Sequence, residues 1–194
     1  MNKSLIIFAS LLLKTIMCFA TTKMDIRISK NSSKILSVTL NSVEIGEKIK
    51  VVNTDGEILF LETINTPGYY TKDLSLSDAP YGLYFVENIS PRSVYIEPIM
   101  VSKYRASLVT EEEKTYIAPR IEYNDNLLVV SAKNNKRVET FIDIYNSEGV
   151  IIYNSNILKT KFVQKKFNTF VLRDEYIRVS VTINGYNFNE KINI

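Results

Sequence analysis

The sequence contains no histidine. That absence removes Ser-His-Asp and Cys-His nucleophilic centres, and with them zinc, copper and haem sites of the usual ligand types. The one cysteine, Cys18, lies at the end of an apolar N-terminal stretch, so cleavage after Ala20 leaves no thiol at all. Disulfides are then excluded, and the chain must be stabilised by core burial. Tryptophan is missing too, and six glycines in 194 residues leave no Gly-rich phosphate loop. The acid/base option that survives is a carboxylate pair, Asp73 with Asp78 or Asp174 with Glu175, and solvated loop carboxylates account for both. Asp125 among its Asn neighbours, or Asp73 with Asp78, lacks the dense Asp pattern of a calcium loop. The expectation is a protein that is not an enzyme, with no catalytic residue, cofactor or metal.

Residues 1–20, MNKSLIIFASLLLKTIMCFA, carry Lys3, an apolar run from Leu5 to Leu13, and small residues at −1 and −3 of a cut after Ala20. This is a secretory signal-peptide pattern. The run is shorter than the ~20 apolar residues that span a bilayer, so no transmembrane segment is expected in the mature chain. Acylation at Cys18, a lipoprotein signal, is disfavoured by Met17, where that processing takes a small residue. The expected location is outside the cytoplasm, in the periplasm, at the cell surface or extracellular.

Net charge is +3, or +1 without Lys3 and Lys14, which gives no basic excess for nucleic acid. The charge divides unevenly. Thr21–Ile117 holds 11 basic and 13 acidic residues, net −2, and Ala118–Ile194 holds 11 and 8, net +3.

After residue 20 the chain reads as short segments rich in Val, Ile, Tyr, Phe and Thr, broken by turn residues every eight to twelve positions. That spacing predicts an all-β sandwich. Seven strands are predicted in 21–101, among them Lys48–Asn53, and seven more in 117–194, among them Leu127–Lys133 and Tyr176–Ile183. The stretch 102–116, with Glu111-Glu112-Glu113, reads as a solvated linker or a continuation of the last strand before it.

VVNTDGEILF at 51–60 and IYNSEGVIIY at 144–153 share one pattern, 93 residues apart. The ungapped overlay gives 13 identities over 75 positions and places Arg27-Ile28 on Arg120-Ile121. Its weight comes from the clustering of matches in one hairpin, and it predicts two copies of one module. Asn53 and Asn146 open a type I turn, and Gly56 and Gly149 supply the positive-φ residue of the following bulge. Structural turn chemistry explains these four residues.

Two surface features bear on binding. Lys159, Lys161, Lys165 and Lys166 cluster around one hairpin and would meet an anionic partner or protect an edge strand. Tyr69, Tyr70 and Tyr81 are the residues for a carbohydrate-binding or adhesin-like surface, with strand packing as the plainer role.

The run KIKVVNTDGEILF, followed by DLSLSDAPYGLYFVEN and YIEPIMV, resembles the C-terminal sorting domains of Bacteroidota type IX secretion cargo. It also resembles small secreted Bacteroidota immunoglobulin-like modules of unknown function. The matching residues are Asn53, Asp55, Gly56, Leu74, Leu76, Gly82, Tyr84 and Val86. The resemblance implies seven-stranded immunoglobulin-like sandwiches without catalytic residues in an exported setting. It departs in having no large cargo domain, and Glu175 replaces Gly82 in the second copy. The expectation is two tandem seven-stranded immunoglobulin- or fibronectin-like modules after a signal peptide. They would form an exported binding or structural protein whose partner is another envelope or secreted protein. A glycan binder, a secretion cargo or tail, and a chaperone-like periplasmic protein are the alternatives.

Overall fold

The computed structural model describes residues 24–29, 33–109 and 114–194. The expected signal peptide, Cys18 and Glu111–Glu113 lie outside the described residues. Those described form sixteen strands and no helix.

Strands β1 (Met24–Ile28), β2 (Ile35–Val43) and β5 (Gly68–Ser75) make one three-stranded sheet, ordered β1-β2-β5. Strands β3 (Lys48–Asn53), β4 (Ile58–Thr63), β6 (Gly82–Ile89), β7 (Ser93–Val101) and β8 (Ala106–Leu108) make a larger one, ordered β4-β3-β6-β7-β8, with β9 (Lys114–Ile117) also on β7. Strands β10 (Arg120–Asn124), β11 (Leu127–Lys133) and β14 (Phe162–Asn168) form a third sheet, β10-β11-β14. Strands β12 (Thr140–Tyr145), β13 (Ile151–Asn154), β15 (Tyr176–Ile183) and β16 (Tyr186–Asn193) form the fourth, β13-β12-β15-β16.

Period-two alternation decides which sheets face each other. Leu36, Val38 and Leu40 of β2 point inward against Ile49 and Val51 of β3 and Tyr84 and Val86 of β6. Leu128, Val130 and Ala132 of β11 likewise meet Ile142 and Ile144 of β12 and Ile177, Val179, Val181 and Ile183 of β15. Each small sheet thus covers a large one, and the chain is all-β with two sandwich cores.

The pairing registers bear directly on the repeat. Val51 pairs with Val86, and Ile144 with Val179. Val86 pairs with Glu97, and Val179 with Glu190. A bulge shifts the register after Val51 in one hairpin and after Ile144 in the other. All these positions differ by the same 93 residues. In the small sheets the offset changes. Ile26 pairs with Val38 and Ile121 with Val130, so the matching core positions lie 95 and 92 residues apart. The sequence match of Arg27-Ile28 with Arg120-Ile121 therefore does not join equivalent sites. Unequal connections after the first and the second strand displace it, and an ungapped overlay cannot follow them.

The turn residues carry equal geometry in both copies. Gly56 has φ 85° and Gly149 φ 84°. Gly56 N–H donates to Asn53 O at 3.2 Å, and Gly149 N–H to Asn146 O at 3.0 Å.

The stretch 102–116 carries β8 and most of β9, and both pair with β7. β7 is accordingly buried on both faces. Tyr95, Ile99 and Val101 enter the first core, and Val94 and Ile96 enter the second. The outer face of the first large sheet is thus a wall of the second core. Tyr116 and Tyr186 stack there with ring centroids 5.6 Å apart. Asn184 Nδ2 donates to Tyr116 Oη at 2.9 Å.

Candidate binding edges

In each sandwich the large sheet ends in a strand that lies beside the terminal strand of the small sheet. In the first module these are β4 and β5, joined across the opening by Lys72 and Glu62, whose Nζ and Oε2 are 2.9 Å apart. In the second they are β13 and β14, where Tyr153 and Phe167 meet edge-to-face at 4.7 Å. Leu74 stands where the second module has Phe167. A cleft of ≈ 420 Å³ opens in the first module, lined by Val51, Phe60, Leu74, Leu76 and their neighbours.

The two strands of each opening differ in protection. β5 and β14 each turn a lysine toward the sandwich, Lys72 and Lys165, between inward apolar residues. An inward charge on an edge strand blocks pairing with another chain. β13 (IIYN) carries no charge, and β4 (ILFLET) carries one, Glu62, ion-paired with Lys72; neither has lysine or proline. Ile58 is 52% exposed and Leu61 53%; Ile151 is 53% and Ile152 42%. A terminal strand with free backbone groups and exposed apolar side chains is a template for an added strand.

The residues singled out by sequence distribute as follows. Tyr69 and Tyr70 open β5, where Tyr70 pairs with Leu40. Tyr81 lies beyond the other end of that strand, with Lys34 Nζ 5.2 Å above its ring, next to Ile35, which pairs with Ser75. Leu40 and Ile35 are five residues apart, about 17 Å along a strand. The three tyrosines therefore do not form one platform, because β5 separates them. Tyr70 is tucked inward, and burial, followed by the charge of Glu62, pushes its hydroxyl up to about 12. The four lysines separate as well. Lys159 pairs with Glu139 at 3.0 Å, Lys161 is exposed in the β13–β14 connection, and Lys165 and Lys166 point to opposite faces of β14.

Asp73 and Asp78 both line the cleft of the first module. Asp73 accepts from Ser37 Oγ at 2.5 Å. Asp174 accepts from Ser147 Oγ at 2.6 Å and from its N–H at 3.1 Å, and these bonds hold its carboxyl below the usual range. Asp174 anchors the turn at Asn146–Gly149. Among the described residues no group of three or more Asp, Glu, Cys or His side chains could hold a metal ion. No helix there is long and apolar enough to cross a membrane.

Sequence reasoning missed a buried polar centre at the module junction. Glu87, on β6, is 4% exposed. It receives Tyr186 Oη at 2.7 Å and Lys50 Nζ at 3.2 Å. Burial first, then the Glu87 carboxylate, pushes the Tyr186 hydroxyl far above the ordinary phenol range. The signal was present as a charge next to Asn88 inside a largely apolar strand, Leu83–Ile89.

No protein-family model matches the chain, and no curated protein matches it. Among solved structures the chain is similar to a "Biofilm associated protein - BSP domain", at 14% identity and TM-score 0.29, over 89% of this chain and 29% of that one. It is also similar to "Tp47, the 47-Kilodalton Lipoprotein of Treponema pallidum", at 9% identity and TM-score 0.29, over 88% of this chain and 49% of that one. The chain thus spans less than half the length of either protein. Likeness at this level carries no argument about function, which rests on the edges themselves.

Proposed function

We propose that the chain is an exported, non-enzymatic binding protein of the cell envelope that engages other proteins by strand addition at β4 and β13. The observation that carries this reading is the pair of equivalent edge strands, both with exposed apolar side chains and without lysine or proline. The N-terminal pattern of residues 1–20 and the resemblance to secreted Bacteroidota sandwich modules both support export. Passage through a type IX pathway is the finer form of that setting.

Site-specific photo-crosslinking in the native envelope tests it. A photoreactive residue at Leu61 or Ile152 is expected to capture protein adducts, and one at Asn189, on the far edge strand β16, is expected to capture few. Equal yields from all three positions would overturn recognition at these edges.

A further inference from the structure

The segment Thr54–Pro80 covers the first turn, β4, the connection, β5 and the loop after it. It holds one basic residue, Lys72, and five acidic ones, Asp55, Glu57, Glu62, Asp73 and Asp78, net −4. The equivalent segment, Ser147–Arg173, holds one acidic residue, Glu148, and five basic ones, Lys159, Lys161, Lys165, Lys166 and Arg173, net +4. The ion pairs on these edges stay local, Lys72 with Glu62 and Lys159 with Glu139. After these are set aside, Asp55, Glu57, Asp73 and Asp78 remain on one edge, and Lys161, Lys165, Lys166 and Arg173 on the other. One fold therefore presents two equivalent strand edges of opposite charge.

We propose that the partner of these edges is a second copy of this chain, with the β4–β5 opening of one molecule docked on the β13–β14 opening of the next. This rests on the reading that the edges bind protein, and it names the protein. An edge that met its own counterpart would place acidic on acidic, or basic on basic, and like charges across an interface oppose it. The unlike pairing brings Ile58, Leu59 and Leu61 against Ile151 and Ile152 with complementary flanks. Such a head-to-tail contact uses a different patch on each molecule, so it leaves one acidic and one basic edge free and propagates. Its charged component weakens with salt, because opposite charges at a solvent-exposed rim are screened beyond about 10 Å at 0.1 M.

Sedimentation velocity on the purified chain, across a concentration series at low and at high salt, reads the assembly. Two variants break one edge each by removing charge: Asp55→Asn with Asp78→Asn, and Lys161→Gln with Lys166→Gln. Unchanged unfolding midpoints show that both fold. The parent is expected to grow past a dimer with concentration at low salt and to shrink at high salt. Each variant alone is expected to bind itself at least about tenfold more weakly. A one-to-one mixture of the two, which retains one intact edge of each kind, is expected to form a dimer and stop. A parent that stays monomeric, a closed dimer that survives both variants, or assembly that strengthens with salt would each overturn the proposal. A monomeric parent that still crosslinks an envelope protein through Leu61 would remove the self-partner and leave the edge-binding function standing.

Discussion

The two modules have one backbone plan and two different surroundings. Their large sheets keep the same register through three strand pairings and a bulge. Yet the first module's large sheet is covered on its outer face along β6 and β7, while the second contributes the β15–β16 turn to that cover. The first opening keeps a cleft lined by Leu74, and the second is closed by Phe167 on Tyr153. Backbone pairing and turn geometry have stayed equal while side chains that face outward have diverged. The shared features are thus requirements of the fold, and the divergent ones are where function is to be sought.

Core truncation tests the equality most severely. Ile49 and Ile142 are equivalent and fully buried. Ile49→Ala and Ile142→Ala are each expected to cost about 2–5 kcal/mol in urea denaturation. Because β7 belongs to both cores, both variants are expected to unfold in a single transition. Two resolved transitions, with only one of them moved, would show the modules to be independent.

The junction is the next largest difference. Tyr186→Phe leaves Glu87 buried with only Lys50 beside it, and is expected to cost about 1–3 kcal/mol at neutral pH. The pH dependence has a definite sign. A tyrosine whose folded pKa is raised favours the folded state below its unfolded pKa of about 10 and loses that contribution as pH rises beyond it. Stability of the parent is therefore expected to fall above about pH 10. Tyr186→Phe is expected to make that fall shallower without abolishing it, since burial also raises Tyr70, Tyr84 and Tyr116. An unchanged alkaline limb would contradict the role given to Tyr186.

The smallest expected contrast lies in the turns. Asn53 Oδ1 accepts from the N–H groups of Asp55 and Glu57 at 3.0 and 2.9 Å, and Asn146 Oδ1 accepts from Val150 N–H at 2.8 Å. Asn53→Ala is expected to cost about 1 kcal/mol, and Asn146→Ala somewhat less. Thermal unfolding of the pair measures the difference, and a larger loss at Asn146 would reverse the comparison.

The sequence was most informative where local rules act alone. Strands β3, β11 and β15 are read with their bounds, because alternation or turn residues mark both ends. β8 and β9 were hidden in a stretch that reads as linker. Their pairing depends on β7, a distant partner that no local pattern reveals. The edges were hidden for a related reason. Ile58–Leu61 and Val150–Tyr153 are uninterrupted apolar runs of the kind that buried strands also show. Their exposure follows from a position at the end of a sheet, which is a property of topology. The uneven charge was visible as a difference between halves. Only the registers locate it on two equivalent openings.

Hydrogen exchange on the chain at low and high concentration tests edge recognition most directly. The expected result is slower exchange in β4 and β13 at high concentration, with β8 and β16, the opposite sheet edges, unchanged. Protection that appears at β16, or spreads evenly over all edge strands, would contradict it.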